Sequence, residues 1–171
     1  PLPRRLPHIR VYAHAYMRMR DPSRMATFMA EETGLSAKDI HPLVIGGPGD
    51  AMVPLTRFST INGAPATPFL DDVAIAHINE RTRHGGAEVL ALRQVSSAYN
   101  APAAAVATMV DAICHDRRRI LPCVCNLDGE YGQTDITAGV PAILGRNGIE
   151  KIVELPLDDT ERSGFQASID S

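Results

Sequence analysis

A glycine-rich turn is the stretch of this sequence best able to bring the main chain close to a bound molecule. It follows the apolar residues Val44 and Ile45 and reads Gly46-Gly47-Pro48-Gly49. Glycine adopts backbone conformations that other residues find costly, so such a turn lets the chain approach a ligand or another segment closely. Pro48 carries neither a titratable group nor a side-chain donor, so it cannot take part in proton transfer.

An acidic and a basic residue lie three positions apart where a helix is predicted to begin. Asp21 precedes Pro22, the pattern of a capping residue followed by proline at the first helical position, and Arg24 comes two residues later. Side chains three apart share a face of a helix, so both would lie near one end of it. Without further information, Asp21 is interpreted as a cap and Arg24 as a solvated helix residue.

The composition and charge exclude several classes of protein. Of the 171 residues, 44% are hydrophobic and 22% charged, which is the makeup of one soluble globular domain with a real core. A formal net charge of -3 argues against a nucleic-acid partner. The most apolar window, over 101–114, contains Pro102 and Asp111 and is too short for a membrane span, so no membrane association is expected.

The three cysteines are Cys114, Cys123 and Cys125. An odd number with one C-x-C pair fits reduced thiols in a cytosol-like compartment. Cys123 and Cys125 would face one side of a strand, with Val124 on the other. Because only His115 is close in sequence as a further ligand, buried thiols are favoured over zinc ligands, and no metal site is predicted.

The first twenty residues differ in composition from the rest, since they are rich in arginine and contain no acidic residue. We interpret residues 1–20 as a loosely ordered basic segment, in preference to an organelle transit peptide of similar composition. The folded domain is expected over 21–171. Cytoplasm and mitochondrial matrix both remain open as the compartment.

The apolar periodicity and turn signals predict an α+β fold in which long helices pack on an antiparallel strand meander. Helices are predicted over 21–34, 71–83, 89–92 and 96–116, and after Asp158. Strands are predicted over 41–47, 120–127, 136–144 and 149–157, with extended chain over 52–61.

Glycines mark the predicted breaks between these elements. Gly85-Gly86 is expected to interrupt the helical pattern, and Asn62-Gly63 is a tight-turn signal. The glycines never take the spacing G-x-G-x-x-G, and no phosphate-binding loop motif is present either. These 171 residues are therefore not expected to contain a Rossmann domain.

From Asp21 onward, the sequence resembles the second half of the lactate-dehydrogenase-like malate dehydrogenases. The matching segments are specific and occur in the family's order. They are Asp21-Pro22-Ser23-Arg24 and the segments 46–57, 81–88, 97–104, 121–123, 129–132, 139–141 and 148–152.

The resemblance implies the substrate domain of an NAD-dependent malate dehydrogenase, an oxidoreductase of the tricarboxylic acid cycle. Asp21 matches the aspartate that orients the catalytic histidine, and Arg24 matches the arginine that grips a carboxylate of malate or oxaloacetate. Ser97 and Ala98 match the place where the family's long helix approaches the substrate. NAD is the implied cofactor, bound mainly by the half of the family that these residues do not match, and no cofactor-binding residue is assigned here.

Pro48 occupies the position of the family's proton-accepting histidine. His41 lies seven residues earlier, about 23 Å away along an extended strand, and cannot replace it. Loss of a general base lowers a rate by about a hundred- to ten-thousand-fold, so this chain alone is expected to be inactive. The alternative is a pseudoenzyme, a non-catalytic binding or assembly module of a larger complex. A homo-oligomer or a partner protein is expected in either case, because the family associates through helices of this half.

Overall fold

Helices packed on antiparallel sheets make up the described residues, which are 20–47, 51–93 and 100–170 in the computed structural model. The α+β class is therefore confirmed. Within these ranges, no helix is long and apolar enough to cross a membrane. The helices are α1 (Arg20–Thr33), α2 (Asp72–Arg93), α3 (Asn100–Cys114) and α4 (Asp159–Ile169).

The larger sheet contains the predicted meander. Its strands β6 (Arg119–Asp128), β7 (Thr134–Gly145) and β8 (Gly148–Ile152) run antiparallel in sequence order. Strand β7 also pairs with β2 (Val44–Gly46), which pairs in turn with β3 (Met52–Pro54). The glycine-rich turn therefore lies between two strands of this sheet.

Strand β8 ends at Ile152, five residues before the predicted limit of 157. The Val153 N–H still donates to the Pro141 carbonyl of β7 at 2.8 Å. Pro141 has no N–H to donate in return, and the Val153 carbonyl accepts from the Tyr131 hydroxyl at 2.8 Å instead. The ladder therefore stops at the proline.

The smaller sheet consists of β1 (Ile40–His41), β4 (Thr60–Ile61) and β5 (Ala64–Pro65). The single strand predicted over 41–47 is wrong, because β1 and β2 belong to different sheets. Pro42 separates them and offers no N–H for pairing.

The tight turn predicted between β4 and β5 is present. Asn62 and Gly63 have φ angles of 46° and 85°, the left-handed conformation that a two-residue hairpin turn requires. In the extended segment predicted over 52–61, a 3₁₀ turn at Thr56–Phe58 separates β3 from β4.

Helix α1 buries the predicted face. Met25, Phe28 and Met29 are at most 8% exposed and pack in a core shared with Ile78 of α2. Gly34 follows the helix with a φ of 69°, which confirms the predicted C-terminal end. The predicted start is one residue late. Arg20 is already helical, so Asp21 lies in the first turn and does not occupy a cap position.

Helix α2 runs without interruption through Gly85 and Gly86, so the predicted break is wrong. A glycine inside a helix costs about 1 kcal/mol relative to alanine, a penalty that tertiary contacts can outweigh. Side chains of α1 lie directly over this pair, with Arg24 and Phe28 within 3.4 Å of where its Cβ atoms would be. Packing against α1 therefore decides the conformation that the glycines leave open.

The second core lies between the larger sheet and helices α3 and α4. Cys123 and Cys125 face it from β6 and are at most 1% exposed, while Val124 on the opposite face is also buried. Burial raises the pKa of the Cys123 thiol to about 11 and that of Cys125 to about 12. The two thiols are protonated members of the core at neutral pH. Across the described ranges, no group of three or more His, Cys, Asp or Glu side chains is placed to hold a metal ion.

Helix α4 begins as the sequence predicts. Asp158 is its N-cap and accepts a hydrogen bond from the Glu161 N–H at 2.8 Å, while the Glu161 carboxylate accepts from the Asp158 N–H at 2.9 Å. Phe165 is 2% exposed and anchors the helix in the core.

Candidate functional site

Arg24 is the predicted site residue whose side chain the structure describes. It is partly buried on the first turns of α1. Asp21 is described in its backbone alone, as part of the same helix. Pro48, Ser97 and Ala98 lie outside the described residues, as does the basic stretch 1–19.

The Arg24 side chain lies along the glycine pair of α2. A Cβ placed on Gly85 would be 3.2 Å from Arg24 Cδ, and a Cβ placed on Gly86 would be 3.4 Å from Arg24 Nη1 and 3.8 Å from Nη2. The stem of the arginine therefore passes over the first glycine and the guanidinium over the second. Any larger residue at either position would meet the side chain.

An aromatic ring and a second arginine brace this arrangement. The Phe28 ring lies 3.3 Å from where a Gly85 Cβ would be, and Arg81 Cζ is 4.1 Å from the centroid of that ring. Arg81 Nη1 also donates to Glu31 Oε2 at 2.5 Å, and this hydrogen bond raises the pKa of Arg81 above its ordinary value. Because Arg81 belongs to α2 and Glu31 to α1, the pair joins the two helices that hold Arg24.

The backbone just before residue 48 is held by two hydrogen bonds. The Gly47 N–H donates to the Ala51 carbonyl at 2.9 Å and to Ser168 Oγ of α4. Gly46 has a φ of 86°, and a Cβ there would overlap Ser168 Oγ and lie 2.9 Å from the Ala51 oxygen. Both the φ angle and the close approach require glycine.

Sequence reasoning missed Ser168. It lies 121 residues from Gly47, is 8% exposed, and belongs to no motif that marks it. Its position on the buried side of α4, three residues after Phe165, is the local signal available. This position predicts that the Ser168 side chain is buried, but it does not predict which residue it contacts.

A groove of about 840 Å³ adjoins this turn, between α2, β3 and α4. Ala51 and Ser168 line its end, and Arg24 is not part of its lining. Its charges are of both signs and pair with each other: Arg57 Nη2 donates to Glu161 Oε2 at 2.6 Å and to the Pro156 carbonyl at 2.8 Å. We take Arg24 and the glycine turn as the candidate site because these are the segments that the sequence resemblance matches to the family's site residues.

Four histidines lie among the described residues, and all four are exposed on the surface. His41 is exposed in β1. His77 Nδ1 lies 2.9 Å from Glu32 Oε1, His84 Nε2 lies 2.9 Å from Glu80 Oε1, and His115 Nδ1 lies 3.0 Å from Asp111 Oδ1. These contacts give each of the three a carboxylate partner on an exposed helix face.

The sequence and fold place this chain in an oxidoreductase family. Residues 20–171 match the family model described as lactate/malate dehydrogenase, alpha/beta C-terminal domain. The chain belongs to this family, so the resemblance found in the sequence is confirmed.

Individual relatives agree with the family assignment. The malate dehydrogenase of Thioalkalivibrio sulfidiphilus is 62% identical over 149 residues, which are 87% of this chain and 48% of that protein. The malate dehydrogenase of Nitrosococcus oceani is 59% identical over 151 residues, or 88% of this chain and 49% of that protein. The chain thus spans about half the length of the curated relatives it matches.

Solved structures give the same result. The malate dehydrogenase of Salinibacter ruber matches with a TM-score of 0.83 at 43% identity. The match covers 88% of this chain and 49% of the Salinibacter ruber chain. The lactate dehydrogenase of Eimeria maxima with NADH and oxamate matches with a TM-score of 0.84 at 36% identity. The match covers 89% of this chain and 47% of the Eimeria maxima chain.

Proposed function

We propose that this chain supplies the substrate-binding side of an NAD-dependent malate dehydrogenase, and that Arg24 binds a carboxylate of malate or oxaloacetate. The observation that carries the proposal is the position of the Arg24 guanidinium, laid against the glycine pair of α2 in a family whose curated relatives are malate dehydrogenases. A guanidinium offers parallel N–H donors in one plane and matches a carboxylate at two points.

The other predicted site residues complete this proposal. Asp21 shares the first turn of α1 with Arg24, and Ser97 and Ala98 precede α3 in the chain. In the proposed site, Arg24 fixes the substrate carboxylate, Ser97 and Ala98 border the substrate, and Asp21 keeps its place beside the position that the histidine holds in the family.

The described residues do not fit a dinucleotide fold. All of their strand pairs are antiparallel, and the sequence lacks the glycine-rich phosphate turn that joins a parallel strand to a helix. NAD, the cofactor that the proposed reaction needs, would therefore be held mainly by residues other than these 171. Its chemistry would be to accept or donate the hydride.

Pro48 sets the limit of the proposed activity. The turn before it keeps two close contacts, to Ala51 and Ser168, but proline cannot accept the hydroxyl proton of malate. Hydride transfer without a general base is expected to be about a hundred- to ten-thousand-fold slower. We therefore propose that this chain binds dicarboxylates and does not catalyse their oxidation at an enzymatic rate.

Titration calorimetry of malate into the purified chain tests the binding role. Arg24→Lys keeps the charge and removes the two-point geometry, so we expect malate affinity to fall about tenfold, equivalent to about 1.4 kcal/mol. Arg119→Lys, at an exposed position on β6, is the control and should leave the affinity unchanged. Equal affinity in Arg24→Lys and the unaltered chain would rule out Arg24 as the carboxylate ligand.

A non-catalytic assembly role is the second candidate, and the exposed face of α3 favours it. Val106 is 47% exposed and Val110 is 50% exposed, and Ala103 and Ala107 on the same helix are exposed as well. A continuous apolar helix face on the surface marks a site of association. A second copy of this chain is the proposed partner.

A further inference from the structure

Two consecutive glycines inside a helix need an explanation. Gly85 and Gly86 lie well within α2, which extends from Asp72 to Arg93. Each costs about 1 kcal/mol of helix stability relative to alanine. Alanine would avoid that cost. Glycine is therefore required here only if a neighbouring side chain occupies the space that an alanine methyl group would fill.

The room at Gly85 is taken by the stem of Arg24 and by the Phe28 ring. A Cβ at Gly85 would be 3.2 Å from Arg24 Cδ and 3.3 Å from Phe28 Cε2 and Cζ. Carbon atoms normally pack at about 3.5–4.0 Å, so a methyl group here would push at least one of the two side chains aside.

Phe28 has little freedom to yield. Arg81 Cζ covers one face of its ring at 4.1 Å, and Arg81 is itself held by Glu31 at 2.5 Å and lies 3.5 Å from Glu88. The ring is therefore in contact with Arg81 and is also buried, at 8% exposed. The displacement caused by a methyl group at Gly85 would pass mainly to Arg24.

At Gly86 the neighbour is the guanidinium itself. A Cβ there would be 3.4 Å from Nη1, 3.8 Å from Nη2 and 3.9 Å from Cζ of Arg24, all ordinary contact distances. A methyl group at Gly86 would cover part of the guanidinium without forcing it away. The two glycines thus act on different parts of the arginine.

We propose that Gly85 and Gly86 are positioning residues for the carboxylate-binding arginine. Gly85 fixes the path of the Arg24 side chain across α2, and Gly86 lets its guanidinium lie close against that helix. This inference rests on the proposed function, since it assigns a purpose to the position of Arg24.

Contacts other than those at the glycine pair also hold the two helices together. Met25, Met29 and Ile78 are fully buried between the two helices, and His77 and Glu32 add a contact at 2.9 Å. These contacts hold α1 against α2 in addition to the contacts that Arg24 and Phe28 make at the glycine pair. A role confined to packing predicts that Gly85→Ala lowers the free energy of unfolding and leaves the malate affinity of the folded chain unchanged.

Nuclear magnetic resonance of the purified chain tests the proposal. The Nε–H resonance of Arg24 is identified by its loss in Arg24→Lys, and malate is then titrated into each variant. We expect Gly85→Ala to shift this resonance and to weaken malate binding about tenfold, because small misplacements of a binding group are costly. Gly86→Ala should weaken binding about threefold and provides a milder variant if Gly85→Ala folds poorly.

Gly164→Ala is the matched control. Gly164 is also a helical glycine, but a Cβ there meets Val53 methyl groups at an ordinary 3.6 Å, so neither the resonance nor the affinity should change. An unshifted Arg24 resonance, or an unchanged malate affinity, in folded Gly85→Ala would overturn the positioning role. A shifted resonance in a chain that binds no malate would support the positioning role and overturn the proposed function, so the two failures are distinguishable.

Discussion

The backbone N–H of Gly47 donates to the side-chain oxygen of Ser168, across 121 residues of sequence. This contact ties the C-terminal helix to the turn that precedes residue 48. In the proposed site, α4 therefore holds the backbone of Gly47, the residue before the position at which the family carries its proton acceptor.

Replacing Ser168 by alanine should loosen this turn without unfolding the domain. The Gly47 N–H keeps its bond to Ala51 at 2.9 Å, so we expect a loss of about 1 kcal/mol, typical of one hydrogen bond. Urea denaturation measures the change. Ser163→Ala, at an exposed position of the same helix, is the control, and equal stabilities of the two variants would show that the Ser168 contact contributes nothing.

Gly46 and Gly63 allow backbone strain to be separated from crowding. Their φ angles are 86° and 85°, so alanine at either position carries the same left-handed penalty of about 1–2 kcal/mol. A Cβ at Gly63 meets nothing within 4 Å, whereas one at Gly46 meets Ser168 and Ala51. We expect Gly46→Ala to destabilise the chain by roughly 2 kcal/mol more than Gly63→Ala, owing to forced packing. Similar unfolding free energies for the two variants would refute the close approach of α4.

Charge on the exposed face of α3 should prevent self-association. Val110 lies on this face and is 50% exposed. Val73 is an exposed valine on a different helix, α2, and serves as the control; it is 78% exposed. Analytical ultracentrifugation is expected to show a dimer or larger oligomer that Val110→Glu disrupts and Val73→Glu does not. A monomer at all concentrations would count against the assembly role, and so would an oligomer indifferent to Val110→Glu.

The buried thiols predict a loss of stability in alkali. Cys123 and Cys125 have folded-state pKa values of about 11 and about 12, whereas an unfolded cysteine titrates at about 8.5. The folded chain then retains protons that the unfolded chain loses. The free energy of unfolding should therefore fall as the pH rises from about 8.5 towards 11, by at most about 1.4 kcal/mol per pH unit for each thiol.

Urea denaturation across this pH range, on the Cys123→Ala/Cys125→Ala chain, checks the assignment. The slope of stability against pH should shrink in that variant and persist in Cys114→Ser, whose cysteine is exposed. If the double variant kept the original slope, the pH dependence of the free energy of unfolding would come from titrating groups other than these two thiols.

Local signals in the sequence were enough to predict much of the fold. The apolar face of α1, the Asn62-Gly63 hairpin, the three-strand meander and the Asp158 cap each depend on residues close together in the chain. The resemblance to the dehydrogenases added the expectation that Arg24 and the glycine turn belong to one site, which periodicity alone does not contain.

Long-range contacts account for what the sequence did not reveal at Gly85-Gly86 and at Ser168. Gly85-Gly86 is a breaking signal by itself, but contacts with Arg24 and Phe28 keep α2 continuous. Ser168 carries no local mark of its contact with Gly47. In both cases the partner lies far away in the sequence, so the sequence neighbourhood could not reveal it.

In the function we propose, the dicarboxylate site is preserved while Pro48 leaves it without a proton acceptor. The most direct test is oxaloacetate-dependent oxidation of NADH, followed by absorbance, with the purified chain and its Pro48→His variant. Each is assayed with and without the NAD-binding half of a related malate dehydrogenase. We predict turnover only for Pro48→His in the presence of that half, at least about a hundredfold above the unaltered chain. Equal turnover by the unaltered chain would contradict the claim, because another group would then be accepting the proton.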